Sequence, residues 1–316
     1  TDNNGCTTAS SVTITEPTVL TVTPGVATMI NCFGANNGSF DVTAAGGTIP
    51  YSYNWSPAPG AGQGTASVTG LSAGAYTVTV TDNNGCTQTA GTTITEPTLL
   101  TAVMDPPVNG SCNGASNGSL NVTAGGGSPL YSYNWSPSGG TGTSASGLPV
   151  GTYTVTVTDN NGCTATASGV IGQPTPLTSV MGTPTMVNCN GANNGSVSVT
   201  ANGGTPLYTY VWSPAPGAGQ GTASASNMAA GNYTVTITDN NGCTTASSVT
   251  ITEPTVLTVT PGVATMINCF GANNGSFDVT AAGGTIPYSY NWSPAPGAGQ
   301  GTASVTGLSA GAYTVT

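Results

Sequence analysis

Apolar and polar residues alternate along much of the chain in short stretches. Tyr76, Val78 and Val80 fall on one face of a segment whose threonines fall on the other, and Phe40 and Val42 repeat the spacing. Side chains of a β-strand point alternately to its two faces, so each stretch predicts a strand with one buried face. No stretch shows the 3.6-residue period of an amphipathic helix.

Turn sequences separate the alternating stretches. Residues 34–38 (GANNG) and 82–85 (DNNG) are rich in Asn and Gly, which adopt positive φ angles at little cost and favour tight turns. About seven short strands per repeat, separated by turns every ~8–12 residues, are typical of a small immunoglobulin-like sandwich. The pattern therefore predicts an all-β fold built as a tandem array of such sandwiches.

The sequence is periodic. The string TDNNGC begins at positions 1, 81, 158 and 238, so the offsets between successive copies are 80, 77 and 80, and residues 1–79 are identical to 238–316. The chain thus holds one full period of three modules, residues 1–237, plus a copy of its beginning. We expect it to be an excerpt from a longer periodic polymer; the alternative is a natural fragment with a recent duplication.

A proline after the last predicted strand of each repeat marks the division between modules, with almost no linker. It lies in an E-P-T sequence in most copies and in Gln173-Pro174-Thr175 once. The predicted organisation is as follows: residues 1–17, the last strand of a preceding module; 18–97, 98–174 and 175–254, complete immunoglobulin-like modules; 255–316, an incomplete module that copies 18–79.

Aromatic residues mark the predicted cores. Tyr51, Tyr53 and Trp55 share one face of a strand, where they are read as core rather than as a platform that stacks on sugar. An L-x-x-G-x-Y element that ends at Tyr76 resembles a tyrosine corner, whose hydroxyl bonds back to the backbone. The predicted core aromatics are Trp55, Tyr76, Trp135, Tyr153, Trp212, Tyr233, Trp292 and Tyr313.

Composition removes whole classes of function. The chain has no Lys, Arg or His and ten Asp and Glu residues, for a net charge of −10. Without cations it lacks the electrostatic footprint of a nucleic-acid-binding protein, and without histidine it cannot form a Ser-His-Asp triad or an imidazole metal site. No apolar stretch approaches the ~18 residues of a membrane span, so we expect no membrane insertion. The sequence predicts neither an enzyme nor a bound cofactor.

Four motifs, written as they stand in the first module, together resemble a known repeat. They are C-x-G-x-x-x-G-S, G-G-T-x-P-Y-x-Y-x-W-S, L-x-A-G-x-Y-T-V-T-V-T-D-N-N-G-C and T-I-T-E-P-T. The chain is similar to SprB-type repeats, which form tandem arrays in cell-surface proteins of Bacteroidetes, including gliding-motility adhesins exported by type IX secretion. The chain departs from the pattern at Val211 and Gln173. The resemblance implies an extracellular location with attachment to the cell surface.

The eight cysteines fall two to a module, which in a surface repeat indicates disulfides; zinc is disfavoured because no C-x-x-C pair or histidine is present. Their pairing stays open. Between-module pairs would be Cys32–Cys163 and Cys112–Cys243; within-module pairs would be Cys32–Cys86, Cys112–Cys163 and Cys189–Cys243; a 26-residue spacing would give Cys6–Cys32. The within-module cysteines belong to opposite ends of a sandwich, roughly 23 Å apart along strands of seven residues, whereas a disulfide needs Cα atoms within about 7 Å.

Carboxylates recur at fixed places in each module. Aspartates stand in the D-N-N-G turns and glutamates stand at the module boundaries. Ca²⁺ binds carboxylate and carbonyl oxygens, so a site between modules is one interpretation, and an aspartate that caps its own turn is the other. The calcium candidates are Asp82, Asp159, Asp239, Glu96 and Glu253.

These observations favour a non-catalytic structural region of a long extracellular filament or adhesin stalk on a bacterial surface. Its expected partners are further copies of the repeat in the same chain or filament, and surface polysaccharide. The alternative is a multivalent module that recognises carbohydrate or a partner surface through its inter-strand loops. The loop at 56–67 recurs nearly unchanged at 213–224, whereas variable loops would favour binding.

Overall fold

The computed structural model describes all residues from Thr1 to Thr316. It is all-β, with antiparallel strands. The first module contains β1 (Thr21–Pro24), β2 (Gly38–Ala45), β3 (Ser52–Ser56), β4 (Ser67–Leu71), β5 (Gly74–Thr81) and β6 (Thr87–Ile94).

The other modules repeat this order. The second contains β7 (Thr101–Met104), β8 (Gly118–Gly125), β9 (Ser132–Ser136), β10 (Ser144–Leu148), β11 (Gly151–Thr158) and β12 (Thr164–Ile171). The third contains β13 (Thr178–Met181), β14 (Gly195–Asn202), β15 (Thr209–Ser213), β16 (Ser224–Met228), β17 (Gly231–Thr238) and β18 (Thr244–Ile251). The fourth contains β19 (Thr258–Pro261), β20 (Gly275–Ala282), β21 (Trp292–Ser293), β22 (Ser304–Leu308) and β23 (Thr314–Val315).

Each complete module is built from two three-stranded sheets. In the first module the strand orders are β1-β2-β4 and β3-β5-β6. Their apolar faces form one core, in which the rings of Phe40 and Trp55, one from each sheet, meet edge to face with centroids 5.7 Å apart. In the second sheet Trp55 pairs with Val78. The alternation of buried apolar and exposed threonine side chains on β5 follows from this pairing.

Each complete module has six strands rather than the seven that we expect from the turn spacing. The segment after Pro24 and Gly25 does not continue as a strand, and its ladder with β2 is reduced to an isolated bridge between Thr28 and Ser39. Proline cannot donate a ladder hydrogen bond and glycine has no side chain to pack, so the pairing is interrupted here.

Contacts divide the chain into two compact units. The first comprises Thr1–Asn109 and Ser116–Gly172, and so carries the sheets of the first and second modules. The second comprises Gly110–Ala115 and Gln173–Thr316, and so carries the sheets of the third and fourth modules. No helix long and apolar enough to cross a membrane is present.

The two ends of the chain differ from the complete modules. The second sheet of the fourth module has only β21 and β23, where the others have three strands. Residues 7–14 have the sequence of β18 but form no strand. The assignment of residues 1–17 to a preceding module stays a prediction.

Candidate functional site

The D-N-N-G-C turn is organised by a buried aspartate. In the first module Oδ1 of Asp82 accepts hydrogen bonds from the backbone N–H groups of Asn84 (2.9 Å) and Cys86 (2.8 Å). Its Oδ2 accepts one from the N–H of Thr48 (2.9 Å). Gly47 has φ +60°, and a Cβ there would lie 2.7 Å from Asp82 Oδ2. A glycine is therefore required beside the carboxylate.

Asp159 and Asp239 repeat this arrangement in the second and third modules, with Oδ2 bonded to the N–H of Ser128 and of Thr205 respectively. In all three turns the bond to this N–H is the main cause that holds the pKa of the carboxyl below its ordinary value of 3.8, while burial opposes the shift. The charged form is thus the one that the fold stabilises.

Because these folded-state pKa values are lowered, the charged aspartates stabilise the fold above pH 3.8. We expect the unfolding free energy contributed by the turns to be constant above that pH and to be lost as the pH falls below it, through the folded-state pKa. Thermal unfolding followed by circular dichroism across this range measures the effect. In the variant with Asp82→Asn, Asp159→Asn and Asp239→Asn, the unfolding temperature should fall less steeply as the pH is lowered. An unchanged pH dependence would contradict this stabilising role of the charged aspartates.

The loop that carries the first cysteine of a module is hydrogen-bonded to a side chain at the end of the same module. In the first module the N–H of Gly34 donates to Glu96 Oε2 (2.6 Å), and Ala35 closes a turn on the carbonyl of Cys32. In the second unit the N–H of Gly114 donates to Gln173 Oε1 (2.7 Å). A neutral amide makes the same bond as the carboxylate. The oxygen at this position is therefore needed as an acceptor rather than as a charge.

Within the first unit, this loop is joined covalently to the aspartate turn of the next module. Cys32 and Cys163 form a disulfide with a Cα–Cα distance of 5.8 Å. Beside it, Nδ2 of Asn161 donates to the carbonyl of Asn31 (2.9 Å) and also to Ser128 Oγ (2.8 Å). The asparagine amide therefore bridges the loop of one module and the turn of the other.

The second unit contains the same junction. Cys112 and Cys243 form a disulfide with a Cα–Cα distance of 5.7 Å. Nδ2 of Asn241 donates to the carbonyl of Ser111 and to Thr205 Oγ1, both at 2.9 Å. Each junction thus combines one disulfide with hydrogen bonds from one asparagine side chain. This asparagine lies two positions before the turn cysteine.

The structure contains the between-module pairing and neither of the two alternatives. Cys32 is bonded to Cys163, so it pairs with neither Cys86 nor Cys6. The four cysteines outside these bonds are free and exposed: Cys6, Cys86, Cys189 and Cys269.

Four segments match the model of a known repeat family, the SprB repeat: residues 25–60, 105–142, 182–217 and 262–297. The chain carries four SprB repeats. Each match includes the cysteine loop and the strand with the core tryptophan.

Three solved structures resemble this array of SprB repeats. Three N-terminal domains of the highly immunogenic outer capsid protein of bacteriophage RB49 align with TM-score 0.35 and 16% identity over 73% of this chain and 97% of that chain. Sidekick-1 immunoglobulin domains 1–5 align with TM-score 0.32 and 14% identity over 75% and 58%. A tetra-tandem repeat from the extending region of a large adhesion protein aligns with TM-score 0.27 and 19% identity over 92% and 91%. No curated protein sequence matches the chain.

The aromatic stripe of the SprB repeat lies in its core. Trp55, Trp135, Trp212 and Trp292 are each at most 4% exposed, and Tyr51 and Tyr53 pack against the core of the first module. The tyrosine corner is present with variations. Tyr153 donates to the carbonyl of Pro149 (3.1 Å), whereas the hydroxyl of Tyr76 meets Ser72 Oγ (3.2 Å).

The structure does not bring the five calcium candidates into a common site. Asp82 has Oδ1 on a backbone N–H group of its own turn and Oδ2 on the N–H of Thr48, and Glu96 caps the cysteine loop. No three His, Cys, Asp or Glu side chains lie close enough to hold one ion.

Sequence reasoning missed the amide bridge of Asn161 and Asn241. The sequence feature that could have revealed this bridge is the second asparagine of the D-N-N-G turn, which recurs in every copy. Asparagine is common in tight turns because of its backbone preferences alone, so its presence there does not indicate a further contact. The bond to a carbonyl 130 residues away is visible only in three dimensions.

Proposed function

We propose that this array is a segment of a long extracellular filament or adhesin stalk on a bacterial surface, and that each module of the sequence period is its building unit. The SprB repeats support an adhesin-type repeat region of a cell-surface protein. Further copies of the repeat are its proposed partners. Attachment to the surface, export by type IX secretion and a role in gliding motility belong to the same proposal, as does contact with surface polysaccharide.

One observation carries the proposal: the loop of one repeat is covalently bonded to the turn of the next. The two bonded cysteines of the first unit lie 131 residues apart in sequence, and the bonded pair of the second unit lies equally far apart. A disulfide and an amide bridge at one junction restrict hinge motion between neighbours. Arrays whose repeats contact only their neighbours transmit tension along one line, so a junction that resists bending and stretching suits a stalk.

The composition fits the same role. The absence of Lys and Arg removes every trypsin cleavage site from an exposed protein. The net charge of −10 keeps copies from associating at random, while the low density of charge lets repeats pack closely. Repeats of this type are generally non-catalytic, and we propose no reaction for this region.

Electron microscopy of the oxidised protein, with and without a reducing agent, tests the proposal. We expect the distribution of angles between the first and second modules to be narrow when Cys32–Cys163 is intact, and to broaden on reduction. Cys86→Ser is the matched control, because this cysteine is free and lies in the same turn motif.

Native material should give a thin fibre with an axial period of three modules, which corresponds to the sequence period spanned by residues 1–237. Short particles of uniform size with flexible junctions, unchanged by reduction, would contradict the stalk. They would favour the multivalent binding module.

A further inference from the structure

A methionine sulfur accepts a backbone hydrogen bond in two of the complete modules. In the first module the N–H of Thr95, the residue after β6, donates to Met29 Sδ (3.3 Å). In the third module the N–H of Thr252, the residue after β18, donates to Met186 Sδ (3.3 Å). A thioether sulfur is a weak acceptor, so this N–H is paired more weakly than a backbone group in a strand ladder.

The second module makes the same bond with an oxygen. The N–H of Gly172, the residue after β12, donates to Asn109 Oδ1 (2.8 Å). Asn109 and the two methionines each stand three positions before the first cysteine of their module. The position therefore needs a side-chain acceptor that reaches this N–H, and it accommodates a polar oxygen as well as a sulfur.

The bond belongs to a set that holds the cysteine loop on the end of its module. In the first module the N–H of Ile30 donates to the carbonyl of Thr95 (3.1 Å), and the N–H of Gly34 donates to Glu96 Oε2 (2.6 Å). Thr95 is thus bonded to the loop through both its N–H and its carbonyl. The third module repeats all three bonds. Because the loop of the first module also carries Cys32, a change at the methionine acts on the segment that forms the junction disulfide.

These two methionines are open to solvent, unlike the methionine in the core of the third module. Met29 is 44% exposed and Met186 is 42% exposed, whereas Met228 is 0% exposed. Methionine more often fills gaps inside a core. Hydroperoxides oxidise the thioethers that they can reach, so an oxidant in solvent has access to Met29 and Met186 and not to Met228.

We propose that Met29 and Met186 are modification sites for hydroperoxides, at which the sulfoxide oxygen accepts the N–H that the sulfur accepts now. A lone pair of the sulfur attacks one oxygen of hydrogen peroxide, so that an S–O bond forms and the O–O bond breaks. The proton of the transferred oxygen passes to the departing hydroxide, which leaves as water. The sulfur loses two electrons and the peroxide gains them. The inference goes beyond the proposed stalk and does not depend on it.

Oxidation at these sites leaves the loop bonded to its module. A sulfoxide disrupts a core because it is polar, but on a side chain that is nearly half exposed its oxygen stays hydrated and meets a backbone donor. The methionine side chain has three rotatable bonds with which to place the oxygen on the N–H of Thr95 or Thr252. Asn109 Oδ1 shows that an oxygen fits there. The exposed sulfurs thus consume oxidant while the hydrogen bonds of the cysteine loop persist.

NMR of the full chain, labelled with ¹³C at the methionine methyl groups, tests the selectivity of oxidation. Single substitutions of each methionine by leucine assign the signals, which separates Met29 from Met266 although their flanking sequences are identical. The free thiols are first blocked with N-ethylmaleimide, so that they do not consume the peroxide. With limiting hydrogen peroxide, Met186 should oxidise about tenfold or more faster than Met228 of the same module, since oxidation follows exposure. Equal rates for these two methionines would overturn the site.

Amide hydrogen exchange at Thr252, followed by NMR, tests whether the sulfoxide keeps the bond. In the oxidised chain this N–H should exchange no faster than in the unoxidised chain, because oxygen is a stronger acceptor than a thioether sulfur. Faster exchange after oxidation would overturn the transfer of the bond from sulfur to oxygen.

Two variants of the full chain are the matched controls for the exchange measurement. Met186→Asn copies the second module and should keep the N–H of Thr252 protected both before and after peroxide. Met186→Leu has no acceptor and should exchange this N–H about two- to tenfold faster, the loss expected for one hydrogen bond. If Met186→Leu exchanged no faster than the parent, the sulfur would not hold this N–H, which would remove the basis of the proposal. Neither variant alters a cysteine, so the stalk is tested separately.

Discussion

Trp212→Ala should lower the unfolding free energy of the third module by about 3–5 kcal/mol, the range for removing a buried tryptophan. The side chain is 1% exposed and lies in the core between the two sheets. Its Nε1 donates to the carbonyl of Thr222 (3.0 Å), so the substitution also removes this hydrogen bond. Hydrogen exchange resolved by module is the suitable measurement, because a chain of several modules does not unfold in one transition.

Val211→Ala is the matched control for this substitution. Val211 is the preceding residue on β15, and its side chain points to the opposite face with 56% exposure. We expect a change within about 0.5 kcal/mol. If both variants lost protection equally, the tryptophan would not be the centre of the module core.

Cys163→Ser should destabilise the first unit by roughly 2–4 kcal/mol in the chain-entropy account of disulfides. The bond closes a loop between residues 131 positions apart, so its removal releases a large constraint on the unfolded chain. Thermal unfolding of oxidised protein, compared between the variant and the parent, measures the loss. The first and second modules should also unfold more independently of each other.

Cys86→Ser serves as the control for this second prediction. Cys86 lies in the same D-N-N-G-C motif but is free and exposed. Its substitution should leave the unfolding transition unchanged. A loss equal to that of Cys163→Ser would indicate that Cys86 is also bonded, which is the within-module pairing that the structure does not contain.

The sequence by itself determined the features that depend on neighbouring residues. Period-two alternation specified strands such as β5 because successive side chains of an extended backbone face opposite ways. The D-N-N-G sequence indicated a capping aspartate as one of two interpretations, and the carboxylate of Asp82 does reach N–H groups two and four residues ahead. Repetition of the whole pattern then specified several similar modules.

Only the tertiary structure decided which distant groups meet. The spacing of cysteines left three pairings open, and Cys32 meets Cys163 because the loop of one module packs against the turn of the next. The boundary residues Glu96 and Gln173 act as acceptors for N–H groups of loops far away in sequence, which no local pattern reveals.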